Sequence, residues 1–281
     1  MLFPFRDNNP IQRTPVVTYA LVAANVLALL WLGRLPENRQ QAFVLEHGFI
    51  PARLAQLVDR QPLTVEVPRG RVRTPEGVKL VVEERTFPPS SREILLSLVT
   101  CMFLHGGWLH LIGNMWFLWI FGNNVEDRLG SVLYFLFYLG GGILASACHW
   151  AFAPSSTVPV IGASGAVAVI LGAYAITWPW AKVETLVFLF VFVTIIELPA
   201  LLVLGAWFLG QVLEATHALG AGGSGVGGHT GVAWWAHIGG FLTGVLLMPL
   251  LGDLVGAGSP GHPGEQESPN EILPHDPYPP D

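Results

Sequence analysis

Charge is what this chain has least of. Asp, Glu, Lys and Arg supply 12% of its 281 residues, while 52% are hydrophobic; a soluble domain carries roughly twice that charged share. An ordinary soluble fold is thereby excluded. Cysteine is almost missing: Cys101 and Cys148 are the only two, which leaves a single bridge at most and rules out a disulfide framework. Basic residues are the minority, 14 against 20 acids for a net charge of -6, so there is no basic surface to bind nucleic acid. No His-Glu-x-x-His pattern occurs, and carboxylates are lacking around His105, His110 and His149; neither a metal site nor a cofactor is expected. No pattern of a cleaved secretory signal precedes the first apolar run, which is expected to remain as an anchor.

What the chain has instead is long uncharged apolar runs, which indicate a membrane protein. Residues 1–15 read as a polar cytoplasmic lead-in. Span 1 covers 16–33, and its Asn25 is expected to bond to a neighbouring helix, because an unpartnered amide in hydrocarbon is costly. Residues 34–93 hold ten of the fourteen Lys and Arg and eight of the twenty acids; within them, 63–67 and 78–82 read as two short strands of a surface hairpin. The stretch 94–104 is too short to cross and reads as an interfacial helix. Span 2 is 108–121, closed by a polar turn over 122–130, and span 3 is 131–152. Span 4 is 160–177, ending in Trp178-Pro179-Trp180, aromatic anchors at an interface. The apolar residues 185–196 are too few to cross, and Glu197 with Pro199 sets the start of span 5, 197–214. A glycine-rich loop, 220–231, leads into span 6, 232–251; the Gly/Pro/acidic tail 252–281 is expected to be disordered. The expected fold is an all-α polytopic membrane protein, a six-span bundle over 16–251 with a long loop between spans 1 and 2.

If span 1 starts inside, spans 2, 4 and 6 all descend from the outer face. The polar residues His110 and Asn114, Ser164, and His237 each fall near the start of one of these spans. At about 1.5 Å rise per residue they share a layer roughly 5–10 Å below the outer surface. Polar groups in spans are costly and face an interior or a wet cavity, so four at one level indicate one cavity. Ser164 and His237 meet only if one crossing separates spans 4 and 6; hence 185–196 is expected to lie along the surface or bend back. Ala236, Gly240 and Gly244 form a small-residue stripe for tight approach to another helix, expected to be span 4 at Gly165 and Gly172. Ser164 itself reads either as helix packing or as a nucleophile whose glycine neighbours let a substrate carbonyl approach. In the short connections Arg6, Arg13, Arg128 and Lys182 all fall on one side, which sets the N-terminus inside.

Taken together, Gly-Ala-Ser164-Gly, Ala-His237-Ile-Gly-Gly with Gly244 beyond, His105-x4-His110-x3-Asn114 and Gly122-x3-Glu126-x3-Gly130 resemble the rhomboid intramembrane serine proteases. The resemblance covers spans 1 to 6. It implies a six-helix core and a Ser–His dyad without an acid, with Ser164 as nucleophile and His237 as general base. His110, Asn114 and the Ser164 N–H would form the oxyanion hole; His105, Gly162, Gly165 and Gly240 would line the site; Glu126 and Gly244 would be structural. The glycine-rich loop would be the family's mobile cap and span 5 its lateral gate. Rhomboids often carry an aromatic four residues after the nucleophile, stacked on the histidine; this chain has Ala168 there, with Trp234 or Trp235 as replacements.

The reaction implied is acyl transfer from a backbone carbonyl to Ser164, then hydrolysis. The partners expected are the lipid bilayer and single-span membrane proteins whose helices unwind at small or helix-breaking residues near the outer end. A bacterial plasma membrane is the expected location, with both termini cytoplasmic. A non-catalytic rhomboid-like escort of membrane clients is the alternative; a transporter would need polar residues through the whole membrane depth.

Overall fold

Fourteen-residue α7 (Ser164–Thr177) is the axle of the molecule. All its side chains from Ala166 to Ala175 are buried, because the helix is aliphatic on every face and neighbours surround it. The computed structural model describes residues 2–74, 77–189, 192–220 and 232–254. The expected cap and nearly all of the tail fall outside them.

Leu2–Asp7 forms β1, followed by α1 (Val16–Leu32) and α2 (Glu37–His47). A 3-10 turn at Pro51–Ala55 leads into the single-turn α3 (Gln56–Asp59). The hairpin β2 (Leu63–Thr74) and β3 (Gly77–Phe87) comes next, then α4 (Ser91–Thr100). The expected hairpin is therefore real and longer than its apolar cores. After α4 the chain runs through α5 (Trp108–Leu129), α6 (Ser131–Phe152) and α7. It closes with β4 (Lys182–Leu189), β5 (Phe192–Pro199), α8 (Ala200–Gly220) and α9 (Trp234–Leu254). Helices α1 and α5 to α9 correspond to the six expected spans, and the fold is a polytopic helical one. Among the described residues, Ser131–Phe152, Ala200–Ala218 and Trp234–Gly252 are each long and apolar enough to cross a membrane. Ser91–Phe103 with Trp108–Leu129, bent by 82°, passes the same test as a pair.

Four local expectations are corrected. Residues 122–130 are not a turn: α5 stays helical to Leu129, and the chain breaks only at Gly130, whose φ of 74° is left-handed. The polar run is helical because its side chains are used. Glu126, 2% exposed, accepts from Val17 N (2.9 Å), Thr18 N (2.7 Å), Thr18 Oγ (2.8 Å) and Ser131 Oγ (2.7 Å). A carboxylate at the start of α1 meets otherwise orphaned N–H groups and the positive end of the helix dipole. The lead-in is not free either, since β1 pairs antiparallel with β4. Residues 185–196 do bend back, but as the antiparallel pair β4–β5, completing a sheet ordered β1-β4-β5. Span 5 accordingly starts at Ala200, after Pro199, and runs to Gly220. The fourth concerns Asn25, whose amide donates one turn back to the Leu21 carbonyl (2.8 Å) rather than across to a neighbouring helix.

The α7–α9 contact is as close as backbones allow. A Cβ built on Gly172 would overlap the Phe241 carbonyl oxygen, one on Gly240 the Gly165 oxygen, and one on Gly244 the Val169 oxygen. Small residues do here what they do in lipid generally: they let helices touch along their main chains.

At the opposite end of α7 from Ser164, Tyr174 Oη donates to Asp7 Oδ2 (2.8 Å). Burial pushes the Asp7 carboxyl up to about 6, outweighing the Tyr174 bond that pulls it down. A raised acid favours the folded protein while protonated. Its contribution is full below the ordinary value of 3.8 and is lost as pH rises through about 6. The cost of ionising it is at most about 3 kcal/mol. Asp7→Asn is therefore expected to be more stable than the parent at pH 7.5 and to lack its loss of stability between pH 4 and 7, measured by unfolding in detergent across that range.

Candidate active site

Ser164 owes its setting to a backbone that refuses to be helical until it arrives. Span 4 was expected from Val160, but residues 160–163 lie outside the helix, which starts at Ser164. Val160 forms a two-bond bridge with Phe49 (3.0 and 2.7 Å), and Gly162 N donates to Cys101 O (2.9 Å). Gly162 has φ 120°, where side chains rarely go. The helix can begin only after it, so Ser164 is the first residue of α7. The N-cap is Ala163, which offers no side-chain cap, and the first helical bond after it is Val167 N to Ala163 O (2.8 Å). The N–H groups of Ser164, Gly165 and Ala166 are left without helical partners at the positive end of the dipole. Such a terminus receives negative charge.

Two other helix starts flank this turn. On one side is α5, with His110 and Asn114 four residues apart and so on one face. A Cβ on Gly162 would lie 2.6 Å from His110 Nε2 and 3.5 Å from Asn114 Nδ2; glycine is needed there for space as well as for φ. Asn114 is buried and its Nδ2 has no hydrogen-bond partner. His105 packs edge-on to His110, ring centroids 5.1 Å apart at 71°, with both of its own nitrogens buried and unpartnered. On the other side is the first turn of α9. A Cβ on Gly165 would lie 3.7 Å from Ala236 Cβ, and His237 is the next residue. The glycine-flanked serine thus lies between the α5 pair and the first turn of α9, which carries His237. No hydrogen bond joins Ser164 to His237 among the described residues. In sites without substrate this bond is often open and closes only in the bound complex.

His237 is 7% exposed, and its Nδ1 lies 2.7 Å from Gln211 Oε1 on α8. Trp234 meets the imidazole edge-on at 5.8 Å and 88°, and Trp207 lies tilted at 6.0 Å. Trp235 instead stacks on Phe152 at 3.8 Å, so of the two tryptophans expected near His237 only Trp234 is there. Ala168 is fully buried and its Cβ is 3.1 Å from where a Gly240 Cβ would sit, leaving no room for an aromatic ring in this packing. Gln211 and Trp207 escaped the sequence reading. The signal was present, an amide in an apolar span four residues after a tryptophan. Among the described residues, no three or more His, Cys, Asp or Glu gather as metal ligands. A surface cleft of about 380 Å³ lies between α2, β3 and α4 around Arg53 and Glu93, away from the candidate site residues.

The Rhomboid domain model matches residues 92–253, more than half of the chain, and takes in Ser164, His237, His105, His110, Asn114 and Gln211. Rhomboid-like protein 11, chloroplastic, of Arabidopsis thaliana is 37% identical over 162 residues, covering 54% of this chain and 51% of that protein. Presenilin-associated rhomboid-like protein A, mitochondrial, of Danio rerio is 29% identical over 181 residues, 62% of this chain and 42% of that one. Rhomboid protease GluP of Bacillus subtilis (strain 168) is 42% identical over 76 residues, 27% of this chain and 14% of that one. The chain spans about half the length, or less, of these relatives. The family model takes in α5 to α8 in full and α9 but for its last residue, and the chain belongs to the rhomboid family.

Proposed function

We propose that this protein is an intramembrane serine endopeptidase that cleaves membrane-protein segments near the outer face through Ser164 and His237. The observation that carries the proposal is the seating of Gly162-Ala-Ser-Gly165 between His110 and Asn114 on one side and Ala236 and Gly240 on the other. Ser164 attacks a substrate carbonyl while His237 takes its proton, and His237 later returns a proton to the leaving amine. The developing oxyanion is received by the open N–H groups at the start of α7 and by the unused Asn114 amide, with His110 beside it. Water then hydrolyses the acyl-enzyme.

Asn114→Ala is expected to lower kcat about 10²–10³-fold, about 3–4 kcal/mol, with little change in melting temperature. The measurement is turnover of a single-span substrate in proteoliposomes. Substrate choice follows from the need to unwind a helix, so spans with small or helix-breaking residues near their outer end are the expected targets. Comparing shed ectodomains in cells carrying the parent or Ser164→Ala would identify them; an identical set would count against proteolysis.

Orientation rests on charge. Arg6 pairs in register with Glu184, Asn8 N donates to the Lys182 carbonyl, and Arg13 N donates to Asp127 beside Arg128. These four basic residues therefore lie at the end of the bundle remote from Ser164, and we place that end and the N-terminus in the cytoplasm. The similar proteins named chloroplastic and mitochondrial lend no support to a bacterial plasma membrane over other membranes. One observation favours a second reading: Ala168 leaves His237 without the stacking ring seen in many rhomboids. An escort would retain its clients equally in the parent and in Ser164→Ala and would cleave neither.

A further inference from the structure

Resting on that reading of the site, we propose that Gln211 is its positioning residue: the amide oxygen holds His237 in the tautomer protonated at Nδ1, leaving the Nε2 lone pair for the Ser164 proton. The geometry fixes the sense of the bond. Gln211 Oε1 is 2.7 Å from His237 Nδ1, and a carbonyl oxygen can only accept, so Nδ1 donates. Which end of the amide faces the imidazole is set by its other contact. Gln211 Nε2 donates to the Trp207 carbonyl one turn back on α8 (3.3 Å). Turning the amide over would oppose two carbonyl oxygens and break that bond, so the network itself assigns the ends.

The rest of the imidazole's surroundings hold the ring but do not choose its tautomer. Trp207 lies over it at 6.0 Å and Trp234 meets it edge-on at 5.8 Å, and neither ring contact distinguishes Nδ1–H from Nε2–H. A base that must accept at Nε2 needs its other nitrogen held by an acceptor, the role a carboxylate fills in three-membered sites. Here a neutral amide fills it. That choice suits a buried helix interface, because an amide carries no charge to desolvate. It also accounts for a polar side chain in an apolar span, on the face of α8 turned to α9. The competing explanation is that Gln211 only ties α8 to α9, which would make it a contributor to stability and nothing more.

The test uses the full chain in detergent micelles. The first measurement is the ¹⁵N spectrum of His237 in the parent protein, which reports which nitrogen carries the proton. A protonated Nδ1 and a bare Nε2 are expected; the reverse tautomer overturns the proposal whatever the variants do. The second is the rate of Ser164 modification by a fluorophosphonate probe. Gln211→Leu keeps the bulk and removes the acceptor. It is expected to slow the maximal labelling rate on the order of 100-fold, well short of the ~10⁴ lost when a tautomer is inverted. The half-saturating probe concentration is expected to stay within about twofold, since probe binding does not involve Gln211. Gln211→Glu restores an acceptor and is expected to recover most of the rate. Labelling of Gln211→Leu at the parent rate, or equal loss in both variants with unchanged melting temperatures, overturns the proposal. Should Gln211→Leu fail to fold, the parent spectrum alone decides. A parent that folds and takes no probe defeats the protease reading while leaving the tautomer assignment to stand or fall on its own spectrum.

Discussion

Ser164→Ala and His237→Ala are each expected to lower turnover about 10⁶-fold, and the double variant no further, because the two act as one unit. On the proposed mechanism, removing the hydroxyl deletes the nucleophile, and removing the imidazole leaves the hydroxyl with its proton and a poor attacker at neutral pH. The residue of activity, roughly 10³–10⁴ over water, should come from substrate binding and from the N–H groups at the start of α7. Neither change is expected to unfold the protein. Among the described residues Ser164 makes no side-chain hydrogen bond, and His237 is held by Gln211 and two tryptophans that can settle against a smaller side chain. Quantitative cleavage of a reconstituted substrate, with melting temperatures measured in parallel, checks both halves. Losses that multiply in the double variant would mean the two residues act separately.

The second large effect is structural. Gly244→Val is expected to cost on the order of 4 kcal/mol or more, because its Cβ overlaps the Val169 carbonyl oxygen and lies 2.7 Å from Ala173 N. Both atoms belong to the backbone of α7, which is packed on every side and cannot yield as a flexible side chain would. Activity should fall further than stability alone requires. The same interface sets Gly165 against Ala236 and so aligns the two candidate catalytic side chains, and a displacement of about 1 Å can cost on the order of 100-fold. Gly205→Ala on α8 is the matched control. Nothing lies within 4 Å of a Cβ there, so it should be neutral or up to about 1 kcal/mol stabilising. Melting of the two variants side by side separates tight packing from a general intolerance of replacing glycine.

The sequence carried the six helices because each is a run of apolar residues, and it carried the α7–α9 contact because Gly165, Gly172, Gly240 and Gly244 repeat at helical spacing. What it hid was set by distant partners. Residues 122–129 look like a turn from their polarity, yet they are helical because Glu126 and Asp127 face donors more than a hundred residues away. β1 and β4 pair Leu2 with Val187 and Asp7 with Val183, across most of the chain. Neither pairing leaves a local signature, since each depends on a partner far along the chain, and a short apolar run such as β4 fits strand and helix alike. The start of α7 was misplaced by one turn because a glycine at φ 120° is indistinguishable, in sequence, from a packing glycine. Gln211 was legible as a lone amide in a span, but its partner could be named only once α8 and α9 were seen side by side.

The most direct test of the central claim is to treat the folded protein with a fluorophosphonate, find the modified residue by peptide mass spectrometry and repeat the labelling in His237→Ala. A single adduct on Ser164 is expected in the parent and almost none in His237→Ala. No adduct in the folded parent, or undiminished labelling of Ser164 without His237, would contradict it.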